Sequence, residues 1–119
     1  MRLRQVAQHA DDLDRAAEFY ERLLGTPPLA KFDPPGLLFF DLDGVRLLLD
    51  RGAPSALLYL AVDDVDGAIE RSAATVVSPP HVIFTHDDDT LGPVGADEVH
   101  AFIGDSEGNT VGLIEFRTS

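Results

Sequence analysis

The sequence contains no cysteine, and this absence removes several kinds of chemistry at once. The chain has no disulfides, no thiolate metal ligands and no cysteine nucleophile. Tryptophan is also missing, which weakens the case for a large flat ligand because such ligands favour aromatic walls. No apolar stretch near Met1 suits a signal peptide or a membrane span, so we expect a cytoplasmic protein that does not contact membranes.

Basic residues are scarce. The 9 Lys and Arg residues face 21 Asp and Glu residues, for a formal net charge of −12, and Lys31 is the only lysine. Such a surface repels nucleic acid, which excludes that class of partner. It attracts cationic ligands, although an acidic surface that only keeps the protein soluble is the simpler explanation. Hydrophobic residues make up 45% of the chain, enough for a packed core.

Two repeats along the chain indicate a duplicated module. Residues 10–17 (ADDLDRAA) are matched 52 positions later by residues 62–69 (VDDVDGAI). A second repeat relates residues 40–49 to residues 104–113, at an offset of 64. The extra length falls in residues 85–97, whose Asp, Gly and Pro predict an enlarged loop. We therefore divide one domain, residues 1–119, into module one at about 1–52 and module two at about 55–119.

Both modules have the predicted order strand, helix and three strands. Asp12 and Asp64 are suited to cap the two helices, and Gly25 is suited to end the first. The apolar stripe of the shorter second helix consists of Val65, Ala68, Ile69 and Ala73. The predicted strands are residues 3–8, 29–32, 37–41 and 45–50 in module one, and residues 57–62, 75–78 or 81–84, 99–103 and 110–116 in module two.

Several predicted strands are apolar on both faces, for example residues 37–40 and 56–62. A sheet with one wet face alternates apolar and polar residues, so these strands need cover on both sides. A helix covers one face, and the other must meet a second sheet or enclose a cavity. The sequence therefore predicts an α+β fold in which two βαβββ modules form a cup-shaped half-barrel with a ligand site inside. Its unpaired edge strands predict a homodimer.

The duplicated plan, the Asp-Leu-Asp of residues 12–14 and the closing Asp105-x-x-Gly108-Asn109 resemble the vicinal oxygen chelate superfamily. That superfamily includes glyoxalases, bleomycin-resistance proteins and ring-cleaving dioxygenases. The resemblance covers essentially the whole chain and is strongest to small glyoxalase-like members. Ser106 stands where the family turn usually has proline.

The resemblance also implies where a metal would lie. The metal-dependent members hold a divalent cation with four side chains, usually His or Gln from first strands and Glu from last strands. The matching positions here are Gln5, Leu57, Leu48 and Gly112. Leucine and glycine side chains offer no donor atoms, so we expect no metal and no other cofactor at this site. A register shift of one residue would instead bring in His9, Asp50 or Glu115.

Strand alternation identifies the side chains expected to point into the cup. Polar candidates for orienting a ligand are Gln5, Arg46 and Asp50, although the two charged groups are equally suited to a solvated rim. The remaining ligand-binding candidates are Leu48, Leu57, Tyr59, Phe102, Gly112 and Ile114.

Among the histidines, His100 is the best candidate for a catalytic base or a hydrogen-bonding group, because Phe102 shares its face. The alternative is a histidine that faces water. His81 and His86, which precede Asp87-Asp88-Asp89, raise the possibility of a loop metal site, but their spacing matches no known signature. His9 is a further candidate for such an alternative site.

Three functional hypotheses follow. The first is a metal-independent small-molecule-binding protein that sequesters a cationic antibiotic or metabolite, with a degenerate metal site. The second is an enzyme of the superfamily, a lyase, isomerase or dioxygenase. The third is a non-catalytic structural or interaction dimer with a filled cup. The sequence does not decide whether the chain is an enzyme, and it does not identify the ligand.

Overall fold

The computed structural model describes residues 1–118. It divides into two compact units: unit one consists of Met1–Ala56 with Asp105–Asn109, and unit two consists of Leu57–Gly104 with the chain from Thr110 onward. Each unit contains one helix and one four-stranded sheet. The predicted α+β fold of two βαβββ modules is thereby confirmed. Neither helix within residues 1–118 has the length and apolar character needed to cross a membrane.

Unit one is built from five elements in the predicted order. They are β1 (Gln5–His9), α1 (Leu13–Leu24), β2 (Ala30–Phe32), β3 (Leu37–Leu42) and β4 (Val45–Asp50). The sheet order is β1-β4-β3-β2, with β1 parallel to β4 and the other pairs antiparallel. A two-residue turn, Asp43-Gly44, joins β3 to β4, and both residues have positive φ, as hairpin turns of this length require.

Unit two repeats this arrangement. Its elements are β5 (Leu58–Ala61), α2 (Val65–Ser72), β6 (Thr75–Thr85), β7 (Asp97–Gly104) and β8 (Thr110–Arg117). The sheet order is β5-β8-β7-β6, again with one parallel pair, β5 with β8. The predicted enlarged loop is present between β6 and β7.

The helix caps agree with the sequence. The side chain of Asp12 accepts a hydrogen bond from the Arg15 amide, and that of Asp64 accepts one from the Gly67 amide. Gly25 ends α1 in the left-handed conformation, with φ 74°. These contacts satisfy amides and carbonyls that the ends of a helix leave unpaired.

One face of each sheet packs on the helix of its own unit. In unit one, Phe40 contacts Tyr20 of α1, and its neighbour Leu47 is fully buried. In unit two, the Glu115 carboxylate accepts a hydrogen bond from the first amide of α2, that of Val65 (2.8 Å). We call the opposite face of each sheet the distal face of that unit. It carries the side chains that alternate along the strands with those that face the helix.

Two details differ from the sequence-based expectation. The alternative strands 75–78 and 81–84 are one strand, β6, in which bulges beside Pro79 and Pro80 shift the pairing with β7, because proline cannot donate to a ladder. Ala73 does not belong to the buried stripe of α2. It is the C-cap, with φ 54°, and Ser72 is buried instead.

Candidate functional site

The distal face of unit two brings five of the predicted site residues together. Across the sheet, Tyr59 of β5 pairs with Gly112 of β8, which pairs with Phe102 of β7. The next row consists of Ala61, Ile114 and His100, with His81 of β6 beside His100. Directly opposed residues share a face, so Tyr59, Phe102, His100 and Ile114 form one continuous surface.

The aromatic side chains on this surface contact one another. The ring centroids of Tyr59 and Phe102 are 5.8 Å apart, those of Tyr59 and His100 are 5.8 Å apart, and those of His100 and Phe102 are 6.5 Å apart. We call these three residues the aromatic group. Tyr59 remains 49% exposed, so part of its ring is available to a ligand.

Gly112 makes room for the aromatic group itself. A Cβ at this position would lie 2.7 Å from Cδ1 of Tyr59 and 3.2 Å from Cε1 of Phe102. The space over the glycine is therefore filled by two rings of the chain. Gly112 is itself buried, whereas Tyr59 beside it is exposed.

A shallow depression of about 260 Å³ lies at one end of the same face. Its lining residues are Ala61, Val62, Asp63, Ile114 and Phe116. Ile114 opposes His100 in the sheet, so the depression adjoins the aromatic group. The combination offers apolar surface, aromatic rings and a carboxylate, which suits a small molecule with an apolar part.

A hydrogen-bonded cluster of two histidines and one glutamate lies beside the aromatic group. Oε1 of Glu98 is 2.8 Å from Nε2 of His86, and Oε2 of Glu98 is 2.5 Å from Nε2 of His100. His86 and Glu98 are buried, with exposed fractions of 5% and 8%. Phe84 and Phe116 flank the His86 ring, at centroid distances of 4.5 and 5.6 Å.

This geometry fixes the protons of the cluster. An ionised carboxylate only accepts hydrogen bonds, so both Nε2 atoms must donate to Glu98. A neutral His100 then carries its proton on Nε2 and leaves the Nδ1 lone pair free. Burial raises the pKa of Glu98, but hydrogen bonds from His100 and His86 outweigh this effect and lower the pKa overall. Glu98 is accordingly an anion at neutral pH.

Glu98 was not singled out from the sequence, and His86 was considered only as part of a loop metal site. The sequence did contain a signal for Glu98. It lies two residues before His100 in a strand, and residues at that spacing share a face. His86 had no such signal. The position of His86 next to Glu98 depends on how the 86–96 loop closes. There the His86 amide donates to the Ala96 carbonyl, and the Gly95 amide donates to the His86 carbonyl.

The candidates in module one lie together on the distal face of unit one. Gln5 pairs with Arg46, and Leu48 pairs with Phe39. The Arg46 guanidinium lies 5.7 Å from the Phe39 ring centre. Asp50 accepts a hydrogen bond from the amide of Gly52 (2.8 Å). The assignment of Gln5, Arg46, Leu48 and Asp50 to ligand binding stays a prediction.

The remaining candidates have local partners or lie at strand ends. Leu57 precedes β5 and is 52% exposed. His9 bonds to Asp11 (2.8 Å), and the His81 ring bonds to the carbonyl of Pro79 (2.9 Å). Glu115 faces α2 and not the distal face, since its carboxylate accepts a hydrogen bond from the Val65 amide.

The four positions that hold a divalent cation in metal-dependent relatives do not fit a metal here. They are Gln5 and Leu48 in unit one and Leu57 and Gly112 in unit two, and only glutamine has a donor atom. Within residues 1–118, no group of three or more His, Asp or Glu side chains is arranged to hold a metal ion. His86, one of the residues considered for a loop metal site, is hydrogen-bonded to Glu98.

The fold places the chain in a class of small α+β proteins that contain two βαβββ modules, each with one helix and one four-stranded sheet. The chain belongs to the glyoxalase/bleomycin resistance protein/dioxygenase superfamily, whose family model matches residues 2–113. No curated protein matches it.

Solved structures share the fold at low sequence identity. A glyoxalase/bleomycin resistance protein from Albidiferax ferrireducens is 19% identical, with 95% of this chain and 98% of that chain covered and a TM-score of 0.69. A glyoxalase-related enzyme from Fulvimarina pelagi is 16% identical, with 97% and 88% covered and a TM-score of 0.70. TioX from Micromonospora sp. is 20% identical, with 98% and 100% covered and a TM-score of 0.67. At these identities the likeness establishes the fold alone.

Proposed function

We propose that this protein is a metal-independent, cytoplasmic small-molecule-binding protein that sequesters a cationic ligand with an apolar or aromatic part. The observation that carries the proposal is the aromatic group next to the depression on the distal face of unit two. The metal site is degenerate in this proposal, because three of its four positions lack a donor atom.

Charge supports a cationic ligand over a neutral or anionic one. The chain carries a formal net charge of −12, and Asp63 lines the depression itself. The faces of Tyr59 and Phe102 can attract a cation placed over them, by about 0.5–2 kcal/mol depending on how far it is desolvated. The names of two structural relatives include bleomycin resistance, which makes cationic antibiotics a sensible part of a ligand screen.

Three probes of similar size test the proposal. Phenethyltrimethylammonium is cationic, 2-phenylethanol is neutral and 3-phenylpropionate is anionic. We expect the cation to shift amide signals of β5, β7 and β8 in NMR titrations and to raise the melting temperature, since a ligand that binds only the folded state stabilises it. Bleomycin extends the test to a larger cation.

Substitution of one exposed aromatic residue provides the matched comparison. Tyr59→Leu should weaken binding of the cation about 2–10-fold, the loss expected for one cation–π contact. Phe32→Leu, which changes a residue 52% exposed in unit one, should leave it unchanged. Equal binding of all three probes, or an equal effect of both variants, would contradict the proposal.

An enzymatic function is the second candidate, and the hydrogen-bonded pair of Glu98 and His100 favours it. A histidine oriented by a carboxylate is a common general base. A lyase or isomerase could use this pair without metal, whereas a dioxygenase of the superfamily needs one. Metal analysis of protein purified without chelator separates these cases. Stoichiometric metal that disappears in Gln5→Ala would overturn the metal-independent proposal.

We also propose that the protein is a homodimer. The edge strand β6 exposes several apolar side chains, namely Val76, Val77, Val82, Ile83 and Phe84. Exposed apolar edge strands favour pairing with another chain. Light scattering should give twice the chain mass of 12.9 kDa, and a monomer at micromolar concentration would contradict the proposal. A dimer that binds none of the probes would favour a purely structural role.

A further inference from the structure

We propose that His100 is a ligand-binding residue whose Nδ1 accepts a hydrogen bond from an N–H group of a ligand ammonium ion. Glu98 and His86 act as positioning residues, because they hold the His100 ring and its proton in place. The inference rests on the proposed function, since it assigns the polar contact of the same cationic ligand. It adds that the ligand is a primary, secondary or tertiary ammonium and not a quaternary one.

The first argument is the tautomer. Both oxygens of Glu98 are engaged by histidine Nε2 atoms, at 2.8 and 2.5 Å, so neutral His100 must present an unprotonated Nδ1. Nδ1 of His100 has no hydrogen-bond partner among residues 1–118. The fully buried side-chain atoms that lack a partner are both in Gln8, so Nδ1 of His100 is accessible to solvent. A lone pair with access to solvent, beside two aromatic rings, is suited to accept from a donor.

The second argument is the charge of the cluster. Glu98 is buried, and among residues 1–118 the only groups that bond to its carboxylate are the two imidazoles. No lysine or arginine forms an ion pair with it in the described part of the chain. A buried anion without a fixed cation is costly. An ammonium bound at Nδ1 of His100 would place a positive charge on the far side of the ring, and Tyr59 and Phe102 would contact the apolar part of the ligand.

The third argument is that the cluster is held firmly. Phe84 and Phe116 flank His86, and a Cβ added to Gly92 would lie 2.9 Å from Nε2 of His86. His86 therefore cannot leave Glu98 without moving the 86–96 loop. A carboxylate fixed in this way orients His100 more strictly than an exposed one would.

Phenethylammonium and phenethyltrimethylammonium form the decisive pair of probes, because they share charge and ring and only the first can donate. We expect the wild-type protein at pH 8 to bind phenethylammonium about 10-fold more tightly or better, the gain typical of a hydrogen bond to a charged group. His100→Phe should abolish this preference and retain binding of the quaternary probe through the aromatic rings.

Glu98→Gln separates positioning from structure. A glutamine amide donates from nitrogen and accepts at oxygen, so one of the two histidines must move its proton to Nδ1. Imidazole ¹⁵N signals of the free protein should show His100 as the Nε2–H tautomer in the wild type, and a changed tautomer for His100 or His86 in the variant. The preference for phenethylammonium should fall when the change is at His100. His81→Gln, on the neighbouring strand, is the matched control and should change neither readout.

The outcomes distinguish the two proposals. If the probes bind equally well to the wild-type protein, His100 is not the acceptor, while the cation-binding function stands. If neither binds, both proposals fail. A wild-type His100 that carries its proton on Nδ1 would overturn the inference without any ligand, and so would stoichiometric zinc bound by His86, Glu98 and His100.

Discussion

Gly112 shows how one residue can shape a surface. A glycine inside a strand costs stability, because it gives up chain entropy and offers no side chain to pack. Here its absent Cβ lets the rings of Tyr59 and Phe102 lie against the backbone of β8. The missing Cβ of Gly112 thus accounts for the close packing of this aromatic surface on β8.

Gly112→Ala should therefore destabilise the protein, although alanine normally suits a strand better. The new Cβ would lie 2.7 Å from Tyr59, and such overpacking costs about 1–3 kcal/mol. Urea denaturation measures the change in the free energy of unfolding. In a Tyr59→Ala background the same substitution should be nearly neutral or stabilising, since the main clash is gone. An equal cost in both backgrounds would show that Tyr59 does not occupy this space.

At the scale of elements, each helix has two carboxylates at its N-terminus, one local and one distant in sequence. For α1 they are Asp12 and Glu107, whose Oε1 accepts hydrogen bonds from the amides of Asp11 and Asp12 (2.9 Å each). For α2 they are Asp64 and Glu115. Negative groups here satisfy free amides and complement the positive end of the helix. The diagnostic turn at residues 105–109 is thus a helix-capping device.

Glu107→Gln tests this role. The Glu107 side chain has no exposed area and also pairs with Arg15 (2.7 Å). Loss of its charge should lower the free energy of unfolding by about 1–3 kcal/mol, as for other buried hydrogen bonds to charged groups. Glu18→Gln, on the exposed face of α1, is the matched control and should change stability by less than about 0.5 kcal/mol. Equal effects of the two variants would refute the capping role.

These elements also show what a sequence can and cannot disclose. Asp12, Asp64 and Gly25 were predictable because capping depends on residues next to the helix. Strand alternation likewise placed Tyr59, Phe102, Gly112 and Ile114 on one face. Glu107 as a cap and His86 as a partner of Glu98 were not predictable, because their contacts join residues far apart in the chain or follow the path of a loop. The sequence predicted a strand at 75–78 or at 81–84 and not the continuous β6, because prolines such as Pro79 and Pro80 usually interrupt a strand.

For the whole molecule, acid should be the destabilising condition. The pKa values of Glu98 and Glu107 are both lowered in the folded protein: burial raises each, but hydrogen bonds from His100 and His86 to Glu98, and from Arg15 and the Asp12 amide to Glu107, outweigh it. A lowered carboxyl pKa contributes stability that is present above the unfolded value and is lost as pH falls through the folded value.

The free energy of unfolding should accordingly fall as the pH drops below about 5. Urea midpoints measured from pH 7 to pH 3 provide the measurement. The decline should be shallower in Glu107→Gln, because one of the carboxylates that drive it is gone. A decline of the same steepness in this variant and in the wild-type protein would mean that Glu107 does not keep a lowered pKa.

The net charge of −12 allows the contribution of the whole surface to be separated from that of the site. Fields from distant carboxylates are screened as the Debye length falls from about 30 Å at 0.01 M salt to about 3 Å at 1 M, whereas a carboxylate in contact with the ligand is screened much less. Asp63 lines the depression, and Asp43 lies in the exposed β3–β4 turn of unit one. We expect affinity for phenethyltrimethylammonium to fall several-fold between these salt concentrations and affinity for 2-phenylethanol to change little.

Asp63→Asn should weaken binding of the cation at both salt concentrations, whereas Asp43→Asn should do so only slightly and only at low salt. If the two variants behaved alike, attraction would come from the overall field and not from a carboxylate built into the site.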